Sequence, residues 1–381
     1  MKFVINWRLF LFWWLLLIGM NVDAVAGFDA TIPVIDLNDF NAPERHKIFI
    51  RDLSNALSKF GFVAVINTNV DKKVLNEAYA AAKEFYAQPT ATKMLSHDPK
   101  INGQRGYVQS EIAKGQNLKD FKEFYHITRE YSSEISQRYG YPANIWPNNA
   151  RFKVAMQQLL VALEDHIAVV EQALAESIGQ PRNYFNNITK EGGLLLRSLH
   201  YPAHPPKDIV WAAAHTDIDL FTILPRATAD GLQLLNDNGE WMDVIVPDDA
   251  FIINAGDMLQ NLTNGVYKSA MHRVVSKNPD IERYSIVVFI HPRPSDSISP
   301  LPKFVAQVGK RNFANVTAQE LLSERLIDLG LNSQELLQNF AASGAIERLL
   351  DVDRASVAAM RALQKANLAS PRVKAALLQQ Q

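Results

Sequence analysis

The chain contains no cysteine among its 381 residues. Disulfide bonds, thiolate nucleophiles, iron–sulfur clusters and cysteine-ligated zinc sites are therefore excluded. A large net charge of either sign is also missing, because 39 Lys and Arg residues stand against 40 Asp and Glu residues. That balance gives no global field to attract nucleic acid or anionic lipid. With 48% hydrophobic and 21% charged residues, the composition is that of a globular protein with a sizeable core.

Residues 1–26 have the layout of a secretory signal peptide. A basic start with Lys2 and Arg8 is followed by an apolar run from Leu9 to Met20 and by the small residues Ala24-Val-Ala26. The apolar run is short for a membrane span, which needs about 20 residues. We therefore expect an exported or periplasmic protein. The alternatives are an uncleaved N-terminal anchor, or a start codon placed too far upstream of a cytoplasmic protein.

After this segment the sequence pattern changes twice. Residues 27–190 are predicted to be mostly helical, residues 191–300 hold short β runs separated by turns, and residues 301–381 return to helix. Many short strands at regular spacing indicate a sandwich or a barrel. We expect one compact α+β domain whose β core is flanked by helices. The seven predicted β runs are Leu194–Tyr201, Ala212–Leu224, Gly231–Leu235, Trp241–Ile245, Phe251–Asn254, Ser269–Val275 and Tyr284–His291.

His215 and Asp217 stand two residues apart within one of these runs. Side chains alternate between the faces of a strand, so both would leave on the same face. A single His-x-Asp is more often structural than functional, but the residues after Asp217 are apolar, and an unpaired carboxylate is costly there. His272, in another β run, would complete a set of two histidines and one carboxylate. Such a set binds Fe(II) on one face and leaves other coordination positions open.

Arg283 and Ser285 repeat the two-residue spacing at the start of the last β run. An arginine on the inward face of a strand needs a carboxylate partner, because an unpaired buried charge is strongly destabilising. No carboxylate follows the same alternation nearby. Since the planar guanidinium grips a carboxylate through two bonds, we expect the missing partner to be a ligand.

Three segments of the chain resemble, in order, the His-x-Asp, His and Arg-x-Ser motifs of the isopenicillin N synthase-like iron(II)/2-oxoglutarate-dependent dioxygenase family. They are His215-Thr-Asp217, His272 and Arg283-Tyr-Ser285. A lone His-x-Asp is a weak signal, whereas this ordered set is specific. The resemblance spans roughly residues 32–331. Further similar stretches are Ile32–Leu37, Gly61–Asn67, His200–Pro202, Gly231–Leu234, Gly239–Trp241, Asn254–Asp257, Leu259–Gly265, Met271–Val275 and Glu320–Leu326.

The resemblance implies a distorted double-stranded β-helix, or jelly-roll, core that holds Fe(II) through His215, Asp217 and His272. In that family 2-oxoglutarate chelates the iron, and its far carboxylate meets the Arg and the Ser, here Arg283 and Ser285. The tyrosine of the Tyr-Pro motif, here Tyr201, would lie near the cosubstrate.

The implied reaction uses O2 and 2-oxoglutarate to hydroxylate, desaturate or cyclise a small organic substrate, with release of succinate and CO2. We expect a monomer that binds no nucleic acid. It would meet a membrane only if the N-terminal segment is an uncleaved anchor.

Three positions need separate interpretation. Leu199 stands where many plant members of the family carry Asn, so the metal-bound end of 2-oxoglutarate is expected to be held differently. Arg197 is a candidate for this role, and a structural ion pair is the equally favoured alternative for it. Asp219 replaces a common Gly; it is a candidate contact for a cationic substrate, although a structural role is favoured. Tyr107 follows a glycine-rich loop where family members often line the substrate pocket, and it is a second candidate substrate contact.

Two other functions stay open at this point. Isopenicillin N synthase and the ethylene-forming oxidase share Arg-x-Ser without using 2-oxoglutarate, so an Fe(II) oxidase of the same fold is the nearest alternative. A catalytically silent module that binds a metal or a carboxylate is the other. Export also stands against the oxygenase prediction, because an exported enzyme would need Fe(II) and 2-oxoglutarate outside the cytoplasm.

Overall fold

The computed structural model describes residues 31–101, 103–111, 119–207 and 209–380 of the chain. Within these ranges the strands are β1 (Val34–Asp36), β2 (Phe62–Ile66), β3 (Gly106–Val108), β4 (Glu123–Ile127), β5 (Leu194–Tyr201), β6 (Ala212–His215), β7 (Phe221–Leu224), β8 (Leu232–Leu235), β9 (Trp241–Asp243), β10 (Phe251–Ala255), β11 (His272–Val274) and β12 (Arg283–Ile290).

The helices in the same ranges surround these strands. They are α1 (Leu37–Asn41), α2 (His46–Lys59), α3 (Lys72–Tyr86), α4 (Thr90–Lys93), α5 (Ser133–Tyr139), α6 (Ala150–Ser177), α7 (Tyr184–Thr189), α8 (Asp257–Leu262), α9 (Pro302–Val308), α10 (Ala318–Asp328), α11 (Gln334–Ser343), α12 (Ala345–Leu350), α13 (Val357–Lys365) and α14 (Pro371–Leu378). Two short 3₁₀ helices cover Met94–Ser96 and Pro99–Ile101.

The strands of the described ranges form two sheets. The larger has the order β1-β2-β10-β7-β12-β5-β4-β3, and the smaller has the order β6-β11-β8-β9. Only β1 and β2 pair in parallel, and all the other pairs in these two sheets are antiparallel. Two facing, largely antiparallel sheets with helices around them make a jelly-roll core, as the sequence predicts.

Side-chain alternation along β5 separates two apolar cores. Leu199 and Tyr201 point between the sheets, where they meet Leu232 and Leu234 of the smaller sheet. Leu196 points the other way, into the core that the larger sheet forms with the helices. The space between the sheets is therefore enclosed on one side by a strand whose other face is fixed by helix packing.

Side-chain caps define where several helices begin. Asp71 accepts a hydrogen bond from the N–H of Lys73 at the start of α3, and Asn149 does the same for Phe152 at the start of α6. Thr317 and Glu320 form the predicted capping box of α10. Each such cap satisfies N–H groups that have no partner within the helix.

One prediction from the sequence needs correction. The run Ala212–Leu224 is not one strand, because β6 ends at His215 and β7 starts only at Phe221. The described residues up to 190 hold helices α1 to α7 and also supply β1 to β4 of the larger sheet. Residues 301–380 do form the predicted helical extension, as helices α9 to α14.

The predicted leader at residues 1–26 lies outside the described residues. Within the part of the chain that the structure covers, no helix has both the length and the apolar character needed to cross a membrane.

Candidate metal centre

The three predicted metal ligands converge between the two sheets. His215 ends β6, His272 starts β11, and the antiparallel register places them opposite each other with ring centroids 4.3 Å apart. Asp217 follows two residues after the end of β6, and its Oδ1 lies 3.8 Å from Nε2 of each histidine. One ligand atom from each side chain lies within 4.8 Å of the others. A single ion can therefore contact all three.

Backbone carbonyls orient both imidazoles. Nδ1 of His215 lies 2.7 Å from the carbonyl oxygen of Ala213, and Nδ1 of His272 lies 3.1 Å from that of Ala270. Because a carbonyl only accepts, each Nδ1 carries the proton and each Nε2 keeps its lone pair for a metal. Burial, together with the neighbouring His272, lowers the pKa of His215 to about 3. The imidazole of His215 therefore stays neutral, as a metal ligand must.

Hydrogen bonds engage one oxygen of Asp217 and leave the other turned toward the histidines. Oδ2 accepts from Oγ1 of Thr222 at 2.7 Å and from Nδ2 of Asn254 at 2.8 Å. Burial alone would raise the pKa of Asp217, but the two hydrogen bonds to Oδ2 favour the ionised form and help to lower the pKa to about 2. Asp217 is therefore ionised, and its Oδ1 is the oxygen that could contact an ion.

Arg283 and Ser285 lie on the inner face of β12, and each is 2% exposed. Nε of Arg283 donates to the carbonyl oxygen of Ala229 at 2.9 Å, and the guanidinium lies 5.0 Å from the ring centroid of Tyr201. Nη1 of Arg283 is buried and has no hydrogen-bond partner among the described residues. A buried cation with an unsatisfied donor is destabilising unless an anion joins it.

One cavity connects the metal ligands with Arg283, Ser285 and Tyr201. The rest of its wall is apolar except for four side chains: Lys122, Arg197, Thr222 and Asn254. The apolar residues of the wall are Phe62, Leu199, Ala212, Leu224, Leu232, Val274, Val287 and Phe289. The donor set suits Fe(II), and the unsatisfied guanidinium suits the far carboxylate of an anionic cosubstrate, so the residues fit both groups.

Arg197 lies toward the other end of this cavity. Its register partner on β12 is Val287, four residues and therefore about 13 Å from Arg283. Nε of Arg197 donates to Nε2 of His126 at 2.6 Å, and Nη1 lies 3.2 Å from a carboxylate oxygen of Glu111. Arg197 is thus held by protein groups, and its contacts do not support the predicted role in binding the metal-bound end of 2-oxoglutarate.

The structure contradicts the predicted substrate contact at Tyr107. The side chain is 0% exposed, packs on Phe85, and donates its hydroxyl to Glu123 in the core outside the larger sheet. Its neighbour Val108 points inward instead. Alternation along β3 therefore turns Tyr107 away from the metal cavity.

Asp219 does not line the cavity either. It is 0% exposed, and its Oδ2 accepts from the N–H of Ile290 at 3.2 Å and lies 3.1 Å from Oγ1 of Thr222. Burial raises the pKa of Asp219 well above its usual range, and the charge of Asp217 adds to that effect. A fully enclosed carboxyl that does not line the cavity cannot contact a cationic substrate there, so the structural role is the one the contacts support.

Two residues that fix Asp217 were not predicted from the sequence as functional. Thr222 carries no motif of its own, and Asn254 is predicted only as the last residue of a β run, whereas its side chain, on β10, reaches Asp217. The available signal was a polar side chain at the end of the apolar run Phe251–Ile253, since a buried amide needs a hydrogen-bond partner.

Two family models match the chain. Residues 191–292 match the 2OG-Fe(II) oxygenase superfamily, and residues 32–149 match the N-terminal region described as non-haem dioxygenase in morphine synthesis. Residues 191–292 contain all three predicted metal ligands together with Arg283 and Ser285.

Curated proteins and solved structures agree with these matches. The protein DOWNY MILDEW RESISTANCE 6 of Arabidopsis thaliana is 32% identical over 70% of this chain and 76% of its own length. A feruloyl CoA ortho-hydroxylase of Ipomoea batatas is 31% identical over 76% of this chain and 78% of its own length. A full-length protein of Neurospora crassa, solved in complex with alpha-KG (2-oxoglutarate), has a TM-score of 0.69 at 26% identity and covers 77% of this chain and 95% of its own.

Proposed function

The chain belongs to the 2OG-Fe(II) oxygenase superfamily, and we propose that it binds 2-oxoglutarate between the metal and Arg283. It is an Fe(II)- and 2-oxoglutarate-dependent dioxygenase that oxidises a small organic substrate and releases succinate and CO2. The residue assignments are the proposal: His215, Asp217 and His272 hold the iron, and Arg283, Ser285 and Tyr201 hold the cosubstrate.

The unsatisfied Nη1 of Arg283 is the observation that carries this assignment. It faces a cavity that also contains the three metal ligands, and no other described group neutralises it. A carboxylate placed there would accept from Nη1, and the hydroxyl of Ser285 lies on the same inner face of β12, two residues along the strand. Because charge-assisted bonds to arginine are among the strongest in proteins, this pair is expected to dominate cosubstrate affinity.

The protein contributes orientation and exclusion of water. Bound Fe(II), with 2-oxoglutarate and O2, supplies the oxidising power for breaking a substrate C–H bond. The carbonyl-bound Nδ1 atoms keep both histidine Nε2 atoms aimed at one point, and the two donors on Oδ2 of Asp217 leave Oδ1 as the oxygen that would contact the ion. Apolar walls such as Phe62 and Val274 keep bulk water from the reacting atoms, which strengthens the electrostatic interactions inside.

Turnover of 2-oxoglutarate tests the proposal directly. We expect purified protein to release succinate from 2-oxoglutarate with Fe(II) and O2 present, and to lose this activity when His272 is replaced by Ala. The variant Ser285→Ala should weaken 2-oxoglutarate binding while Fe(II) still binds. Unaltered 2-oxoglutarate affinity in both Ser285→Ala and Arg283→Met would disprove the cosubstrate assignment.

We also propose that residues 1–26 direct export of a monomeric protein. The basic start, the apolar run and Ala24-Val-Ala26 support this proposal. N-terminal sequencing of the protein from a periplasmic fraction should begin at Gly27, and light scattering should give the mass of one chain. A chain that keeps Met1 and stays in the cytoplasm, or a dimer mass, would contradict the corresponding half of the proposal.

A further inference from the structure

The loop between β6 and β7 carries Asp217, so its position sets the distance from this ligand to the two histidines. One side of the loop rests on the start of α8. The backbone N–H groups of residues 256–258 donate to the carbonyl oxygens of Leu220, Asp217 and Asp219 at 2.8–3.0 Å. These bonds fix the second half of the loop, but they do not reach Thr216, which stands between two metal ligands.

An arginine from the C-terminal helices holds Thr216. On α10, Nη1 of Arg325 donates to the carbonyl oxygen of Thr216 at 3.1 Å, and Nη2 donates to its Oγ1 at 3.2 Å. Arg325 also forms an ion pair with Asp257, the first residue of α8. The side chains of Arg325 and Asp257 are 15% and 16% exposed, so water and salt screen the pair only weakly.

We propose that Arg325 is a positioning residue for the iron site. Its two hydrogen bonds to Thr216 fix the peptide that joins His215 to Asp217, and its ion pair with Asp257 ties that peptide to the helix that supports the rest of the loop. It touches neither iron nor substrate. It acts through Thr216 on the spacing of the ligand atoms, and such supporting partners typically change metal affinity about 10–100-fold.

Two other C-terminal helices hold α10 in place through residues that precede Arg325. From α12, Nη2 of Arg348 donates to Glu320 at 2.7 Å. At the start of α13, the N–H of Ser356 donates to Glu324 at 2.8 Å. The region beyond residue 292 lies outside both family-model matches. Through Arg325, this region influences the position of the proposed iron ligands.

The sign of the effect separates positioning from simple electrostatics. Arg325→Met removes a positive charge near the metal and leaves Asp257 without its ion-pair partner. Electrostatics alone would make that site bind a cation more tightly. Loss of positioning predicts the opposite, because the ligands then spend less time at the correct spacing.

The experiment is a titration of the full-length, metal-free protein with Co(II), followed by its visible absorption or by calorimetry. We expect Arg325→Met to weaken Co(II) binding by about tenfold or more, and Arg325→Lys to weaken it less. The matched control is Arg372→Met, which breaks an ion pair with Asp351 elsewhere in the C-terminal helices without touching Thr216 or α10, and it should stay within about twofold of the original. Equal or tighter binding by Arg325→Met would overturn the proposal.

Two measurements keep the test decisive. If Arg325→Met fails to fold, Thr216→Val removes the hydroxyl that Arg325 and Asp257 share, and unchanged Co(II) affinity in that variant would also overturn the proposal. Thermal unfolding of the metal-free protein measures any general loss of stability. If the ion pair of Arg325 were only structural, Arg325→Met would lower the unfolding temperature and leave the Co(II) affinity unchanged. Because the inference rests on the metal role of the triad, Co(II) binding by the unmodified protein tests that role separately.

Discussion

Replacing Arg283 by Met is the most direct test of how the cavity recognises its cosubstrate. Methionine keeps an unbranched apolar stem but is shorter than arginine and offers no donor and no charge. Arg283 is 2% exposed and its Nη1 lacks a partner among the described residues, so nearly all of its interaction with a bound carboxylate would be lost. Ser285 and the metal would remain to hold 2-oxoglutarate.

The expected size of the effect follows from the number of bonds. A hydrogen bond to a charged group contributes about 1.5–3 kcal/mol, and a guanidinium grips a carboxylate through two. Taking about 3 kcal/mol as the lower figure, the Kd for 2-oxoglutarate should rise about 100-fold or more, since 1.4 kcal/mol is a factor of ten. Arg283→Lys keeps the charge but lacks the planar pair of guanidinium donors, so the Kd for 2-oxoglutarate should rise less, by about tenfold.

Direct binding is the suitable assay, because it needs no substrate. Under anaerobic conditions, 2-oxoglutarate is titrated into the Fe(II) protein and followed by the charge-transfer absorption of the complex or by calorimetry. Arg293→Met is the control, since Arg293 pairs with Asp296 and does not line the cavity. A Kd within threefold of the original for Arg283→Met, with Fe(II) bound equally well, would refute the reasoning.

Three further outcomes are expected. Thr222→Val removes one of the two donors to Oδ2 of Asp217 and should weaken Co(II) binding about tenfold in a titration; unchanged affinity would show that Asn254 alone suffices. Burial lowers the pKa of His166 to about 4, below its unfolded value of about 6.5, so the stability should hold above pH 6.5 and fall by about 3 kcal/mol as the pH drops toward 4. Urea unfolding of His166→Leu should lack that loss, and an equal loss would contradict the cause. Tyr107→Phe removes a buried hydroxyl bond and should lower stability by about 1–2 kcal/mol while leaving 2-oxoglutarate turnover within twofold; a rise in substrate KM would restore a role in the pocket.

The sequence predicts His215, Asp217 and His272 as iron ligands because that chemistry demands particular side chains at particular spacings, and the structure brings the three together. The same holds for Arg283, whose charge on an inward strand face required an anion. The local geometry was less predictable: His215 and Asp217 were expected on one strand, but the strand ends at His215 and the loop to β7 places Asp217. Alternation of side chains gives the face of a residue only where a strand continues.

Contacts that depend on how distant segments pack could not be predicted from the sequence. Tyr107 was assigned to the pocket by resemblance, yet its side chain points to the opposite core, because which face of β3 points inward depends on its pairing with β4. Arg325 lies 109 positions beyond Thr216 in the chain, and only the packing of α10 brings the two together. Contacts between distant segments carry no local pattern that composition or spacing could reveal.

The metal ligands join the two sheets. His215 and His272 belong to the smaller sheet. Asp217 is held by two donors from the larger sheet, Thr222 on β7 and Asn254 on β10. A bound ion would therefore link the two sheets. Its binding would increase the free energy of unfolding, by about 2.7 kcal/mol at a free ion concentration of 100 times Kd. Amide hydrogen exchange should then slow on both sides of the gap when metal is added, in β6 and β11 and equally in β7 and β10.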